Sequence, residues 1–133
     1  MSASAARPMG GTPDLAGPAL RTFFRIAGAW KLSVEEQIAL LGAPARSTFY
    51  KWKSDGANSV QRDILERISY ILGIYKSLQI LLPDRSAADS WIRKPNRAPI
   101  FGGRSALDRM VAGNVADLYV VRRYLDSQRG SWA

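Results

Sequence analysis

Two groups of side chains in this sequence have the types and spacing to do chemistry, and in both the chemistry is binding. Arg46, Ser47, Tyr50, Lys51 and Lys53 crowd into one short stretch, and Arg122, Arg123, Tyr124, Arg129 and Trp132 gather near the end of the chain. Lysine and arginine meet phosphates and carboxylates, and arginine with large aromatics offers forked hydrogen bonds and wide contact area. The usual tools for breaking bonds are missing. There is no histidine and no cysteine, which removes the common general base near neutral pH, the commonest metal ligand, the thiolate nucleophile and any disulfide. The 11 Asp and Glu residues are scattered without a convincing pair. No glycine-rich phosphate loop, metal-ligand spacing or internal repeat appears. The expectation is a protein that is not an enzyme and takes no metal and no cofactor.

The charge supports a binding role. The net charge is +8 and the isoelectric point near 10.3, which favours an anionic partner or an acidic protein surface. Residues 21–53 hold six Lys and Arg against two acids, residues 85–133 nine against four, and residues 54–84 three against four. Two basic ends flank a neutral connector, as a protein with two sites would have. At 133 residues the chain has room for one domain or two very small ones. It contains no apolar run long enough to cross a bilayer and no signal-peptide pattern at its start, so no membrane partner and a cytoplasmic location are expected.

The elements that must position these residues are helices. Residues 1–17, MSASAARPMGGTPDLAG, are small and polar and read as a disordered tail. Pro18 suits the first turn of a helix, and Leu20, Phe23, Phe24, Ala27 and Trp30 follow at helical spacing, which marks them as core. Ser33 reads as a helix cap with Glu35 and Glu36 in the first turn, and Ile38, Leu40 and Leu41 carry that helix to Gly42. A Gly42-Ala43 turn leads to Pro44 as the first residue of another helix, with Ala45, Phe49 and Trp52 inward. That leaves Ser47, Tyr50 and Lys51 outward, flanked by Arg46 and Lys53. Helix, glycine turn, and a second helix with hydroxyls and cations outside is the helix-turn-helix arrangement, whose second helix enters the DNA major groove. An ordinary helical hairpin with a solvated basic face has the same pattern.

From Asn58 the pattern changes. Ile64, Ile68, Ile71, Tyr75, Leu78 and Leu82 alternate spacings of four and three, the seam of a helix packed along its length. Gly73 marks a point where it would break in two, and Pro83 ends it. The seam suits a central core helix, or a dimer contact.

The last part is punctuated more closely. A helical turn with Trp91 and Ile92 stops at Pro95, a loop with Gly102 and Gly103 follows, and Ser105-Ala106-Leu107-Asp108 reads as a capping box. Leu107, Met110 and Val111 form an apolar side, Gly113 closes that helix, and Asn114 caps the last one. There Leu118, Val121 and Leu125 share a face and leave Arg122, Arg123 and Tyr124 largely free.

In order and type these pieces, from Trp91-Ile92 and Pro95-Asn96 through Phe101-Gly102-Gly103-Arg104-Ser105-Ala106-Leu107-Asp108, Met110, Gly113, Asp117-Leu118-Tyr119 and Tyr124-Leu125, resemble the C-terminal, toxin-binding domain of the Xre/MbcA/ParS antitoxins. The resemblance covers roughly the last half of the chain. It implies an antitoxin that binds a RES-domain toxin, of the class that consumes NAD or transfers ADP-ribose, and covers its active site. It also implies that the helix-turn-helix part binds the operon's own promoter. The expected fold is all-α: a tail (1–17), a helix-turn-helix part (18–57), a connecting core helix (58–83) and a small toxin-binding part (84–133). Candidate toxin-binding residues are Trp91, Arg104, Arg122, Arg123, Tyr124, Arg129 and Trp132. Candidate DNA-binding residues are Arg46, Ser47, Tyr50, Lys51 and Lys53. The partners are a RES-domain toxin and promoter DNA, with a homodimer or a hetero-oligomer with the toxin as the assembly. A helix-turn-helix regulator without a toxin is the alternative.

Overall fold

Burial of one apolar stripe sets the architecture. In α4 (Arg62–Leu81) the side chains of Ile64, Ile68, Ile71, Ile74 and Leu78 are buried. Each fully buried isoleucine or leucine contributes about 1.5–3 kcal/mol from water exclusion. The helix packs against both α1 (Thr12–Ala29) and α7 (Val115–Gln128), so its seam is consumed within the chain. The computed structural model describes residues 12–129. It is all-α, with α2 (Val34–Leu40) and α3 (Arg46–Asp55) before α4, and α5 (Arg85–Ser90), a one-turn 3-10 helix (Trp91–Arg93) and α6 (Ala106–Met110) between α4 and α7. The one extended pairing among the described residues is an isolated antiparallel bridge between Pro95 and Ser105. The core runs from Leu20, Phe23 and Trp30 through Leu40, Leu41 and Phe49 to Ile92, Met110, Leu118, Val121 and Leu125.

Several local expectations change. Residues 12–17, read from sequence as tail, are the first turns of α1, and Pro18 sits inside that helix rather than in its first turn. Residues 1–11 lie outside the described residues, as does Trp132. Helix α3 begins at Arg46, not Pro44, and Ala45 is an exposed N-cap rather than an inward residue. Asn114 occupies the N-cap position of α7 without a side-chain cap bond.

Helix α4 does not break at Gly73. A Cβ there would collide with the guanidinium of Arg122, which crosses α4 at that point. The glycine is a groove for an arginine of α7, and the helical ladder needs no interruption to accommodate it.

The two helix ends that precede turns share one geometry. At α1, Leu32 N–H donates to Ala27 (3.0 Å) and Lys31 N–H to Gly28 (3.1 Å), with Lys31 at φ 56°. At α2, Ala43 N–H donates to Ile38 (2.8 Å) and Gly42 N–H to Ala39 (3.2 Å), with Gly42 at φ 91° and Ala43 at φ 63°. Both are Schellman ends, which satisfy the last carbonyls of a helix by turning the chain left-handed.

Candidate partner-binding surfaces

The C-terminal surface is built from a loop, the 3-10 turn and one side of α7. The loop closes on itself: Asn96 N–H donates to Arg104 (3.0 Å), Gly103 N–H to Asn96 (2.9 Å), and Ala98 N–H to the Asn96 side-chain oxygen (2.9 Å). Arg109 pins it from below, donating from Nη1 to the Ile100 carbonyl (2.8 Å) and from Nε to Asp117 Oδ1 (3.1 Å). The capping box of α6 is complete, with Asp108 N–H donating to Ser105 Oγ (3.0 Å) and Ser105 N–H to Asp108 Oδ2 (3.3 Å). The Ser105 amide, then its hydroxyl, holds the Asp108 carboxyl below its ordinary range.

Pinned in this way, the loop drives Phe101 inward to 5% exposure. Phe101 meets Trp91 edge-on at 6.0 Å and Tyr124 edge-on at 5.3 Å, and Trp91 and Tyr124 stack at 6.4 Å with 19° between their planes. Beside this trio Ile100, Tyr119, Val120, Arg123, Tyr124 and Ser127 line a shallow concavity of about 480 Å³. Tyr119 is 42% exposed. Arg123 donates from Nη1 to its hydroxyl (2.8 Å), and Tyr70 of α4 meets its ring at 5.7 Å. Aromatic rings and one arginine, packed yet partly open to solvent, are the composition of an interface centre.

The predicted toxin-binding residues therefore divide. Trp91, Arg123 and Tyr124 share this face. Tyr124 is not free, because its ring is already stacked. Arg122 is not free either: it lies over Gly73 and pairs with Asp126 at 3.6 Å. Arg129 turns to the same seam, donating to Ser77 Oγ at 3.0 Å, while Ser77 donates to Asp126 Oδ1 at 3.0 Å. Ser77 is 1% exposed, so Arg122 and Arg129 complete a partly buried polar network that latches α7 to α4. Arg104 borders a different groove with Glu36, Arg93, Pro95 and Asp108, and lies 3.7 Å from Asp108. Tyr119 and Ile100 are the members that sequence reasoning missed. The spacing of four between Tyr119 and Arg123 was the available signal, since such pairs are neighbours on a helix.

The N-terminal surface is α3. Arg46, Ser47, Tyr50, Lys51 and Lys53 are all exposed on it, while Phe49 is buried and Trp52 half-buried. Tyr50 keeps 47% of its surface in solvent. Arg46 is engaged, donating from Nη2 to Glu35 Oε2 of α2 at 2.9 Å. That bond holds the Glu35 carboxyl below its ordinary value, and Glu35, then the Tyr50 hydroxyl, raises the Arg46 pKa. The turn between α2 and α3 is backed by Arg67, buried to 8% exposure and paired with Asp63 at 2.9 Å, which packs on Gly42 so closely that a Cβ there would crowd it.

One side chain ties the two surfaces together. Arg93, in the same turn as Trp91, donates to the Trp30 carbonyl (3.1 Å), the Lys31 carbonyl (2.7 Å) and Glu36 Oε1 (3.2 Å). Its guanidinium takes the carbonyls left over at the end of α1 and the capping carboxylate of α2.

Among the described residues no cluster of three or more metal-ligating side chains occurs, and no helix is long and apolar enough to cross a membrane. Comparison with known proteins falls on the same two halves. The model of the antitoxin Xre-like helix-turn-helix domain matches residues 9–73, and the model of the antitoxin Xre/MbcA/ParS C-terminal toxin-binding domain matches residues 77–130. The uncharacterized protein y4oB of Sinorhizobium fredii (strain NBRC 101917 / NGR234) is 54% identical over 111 residues, which cover 84% of each chain. No solved structure matches the chain. With a helix-turn-helix half and a toxin-binding half joined through α4 and Arg93, the chain belongs to the Xre/MbcA/ParS family of antitoxins.

Proposed function

We propose that this antitoxin neutralises a RES-domain toxin, one that consumes NAD or transfers ADP-ribose, by binding it directly and covering its active site. The observation that carries the reading is the Trp91–Phe101–Tyr124 trio with Tyr119 and Arg123 beside it, inside the segment matched by the toxin-binding domain. A toxin that admits NAD has a pocket mouth, and a face of fixed aromatic rings carrying one forked cation fits over such a mouth. Arg123 supplies hydrogen bonds to carboxylates or carbonyls at the rim, and Tyr119 and Tyr124 supply flat contact area at little entropic cost. Arg122 and Arg129 act indirectly in this reading, by holding α7 against α4. The α3 face binds promoter DNA, with Ser47 and Tyr50 toward base edges and Lys51 and Lys53 toward phosphates. Acting on a nucleotide-consuming enzyme and on a promoter places the protein in the cytoplasm, in a hetero-oligomer with its toxin.

Co-expression with the product of the adjacent gene tests the toxin reading. The two proteins are expected to purify together, and cells expressing both are expected to survive. Arg123→Ala is the informative variant, because Arg123 is exposed and bonds to Tyr119 on its own helix. Loss of a central interface residue costs about 2 kcal/mol, close to thirtyfold in affinity. Full protection by this variant at matched protein levels places the contact elsewhere. For DNA, Lys51→Ala is expected to weaken promoter binding and reduce its salt slope by about one counterion.

A further inference from the structure

Glu35 stands where a DNA-binding helix pair is least expected to carry a negative charge. It lies in the first turn of α2, its side chain is 73% exposed, and it accepts a 2.9 Å hydrogen bond from Arg46, the first residue of α3, itself 56% exposed. When a helix-turn-helix docks, the first helix crosses the phosphate backbone, and the start of the second helix enters the major groove beside that backbone. Those are the positions of Glu35 and Arg46.

Neither residue is required there by the fold. The N-terminus of α2 is already capped by its neighbour, since Ser33 N–H donates to Glu36 Oε1 (2.8 Å) and Glu36 N–H to Ser33 Oγ (3.1 Å). An ion pair this exposed adds little to stability. The opposite edge of α3 also carries one cation and one acid, Lys51 and Asp55, on a hollow shared with Asn58 and Ser59. The α2 edge is set apart by the direct pairing of its acid with the first residue of α3.

We propose that Glu35 restrains DNA binding, by occupying the Arg46 guanidinium and by presenting a carboxylate to the phosphate backbone. The inference rests on the reading of α3 as a DNA-binding helix. In the unbound protein Arg46 gives one Nη2 hydrogen bond to Glu35. Contact with a duplex exchanges that carboxylate for a phosphate, so the gain from Arg46 is offset by a stranded negative charge beside the backbone. Freed of Glu35, Arg46 becomes a full phosphate ligand.

Fluorescence anisotropy of the full chain tests this, with a duplex from upstream of its own gene and a scrambled duplex of equal length, across a salt series. Glu35→Gln is expected to tighten binding to both duplexes on the order of fivefold at physiological salt and to steepen the salt slope by about 0.9, the worth of one added phosphate contact. Arg46→Ala is expected to cost more in the Glu35→Gln background than in the wild type, because only there is the guanidinium released. Thermal unfolding of each variant controls for misfolding. If Glu35→Gln tightens binding and Arg46→Ala fails to reverse the gain, bulk charge explains it and the restraint of Arg46 is overturned. Unchanged affinity in Glu35→Gln overturns the proposal while leaving DNA binding in place. Absence of binding by both the wild type and Glu35→Gln at low salt overturns the DNA reading and this proposal together.

Discussion

Arg122 of α7 crosses α4 over Gly73, in a gap that exists only because residue 73 has no side chain. The arrangement opposes two effects. Alanine in a helix interior is better than glycine by about 1 kcal/mol, but here its methyl group must displace a guanidinium that is also paired with Asp126. Gly73→Ala is therefore expected to stabilise the protein by about 1 kcal/mol when Arg122 is already alanine, and by less, or with reversed sign, when Arg122 is present. Urea unfolding of the two single variants and the double variant measures the coupling. Additive effects would show that Arg122 does not depend on the glycine.

Arg93 is expected to hold the two halves of the protein in register. Removing it leaves the Trp30 and Lys31 carbonyls and Glu36 without their guanidinium partner. Because its side chain is 40% exposed, solvent recovers part of the loss, and Arg93→Ala should cost about 1–2 kcal/mol. Lysine should restore little, since one ammonium cannot reach two carbonyls and a carboxylate in the same fork. Thermal unfolding of both variants decides between this and a simple charge effect, in which lysine would rescue.

Ala43 occupies left-handed backbone at φ 63° with its methyl group exposed. An alanine there is strained by roughly 1 kcal/mol and buries nothing in return. Ala43→Gly is expected to raise stability by up to about 0.5 kcal/mol, the strain relieved less the extra freedom of glycine in the unfolded chain. A drop in the unfolding midpoint would mean that the turn is held by a contact of the methyl group.

Two capping-box carboxylates make the fold sensitive to acid. For Glu36, burial pushes the pKa up, but the Ser33 amide and Arg93 outweigh it and leave the carboxyl below its ordinary value, and Asp108 is lowered by Ser105. A carboxylate depressed in the folded state contributes stability that is present above its unfolded pKa and lost as pH falls through the folded one. Stability should therefore hold from neutral pH down to the ordinary carboxylate range and fall below it. Glu36→Gln with Asp108→Asn should flatten that fall. The measurement is the urea midpoint as a function of pH, and an equally steep fall in the double variant would assign the acid sensitivity to other groups.

What the sequence determined by itself is the local order of this chain, because that order depends on neighbours in the chain. The caps Ser33 and Ser105 with their carboxylates, the stop at Pro83, most of the stripe from Leu20 to Trp30 and the α4 seam at Ile64, Ile68, Ile71 and Leu78 follow from spacing and appear in the structure. Phe24, Tyr75 and Leu82 are only half-buried, and Ile74 joins the core instead. The same holds for the helix-turn-helix and for the family, whose motif is a string of caps, turns and aromatics. Tertiary structure alone decided which exposed-looking residues are free. By helical spacing Arg122, Arg123 and Tyr124 are equivalent neighbours, yet one lies over Gly73, one points to solvent beside Tyr119, and one stacks on Trp91. A helix face shows only which residues leave its own core stripe. Whether a partner waits there depends on residues some fifty positions away, as Ser77 does for Arg129, and no local pattern encodes that. The pairing of Glu35 with Arg46 belongs to the same class: the one reads as a first-turn acid and the other as a DNA contact, and the Gly42-Ala43 turn brings them together.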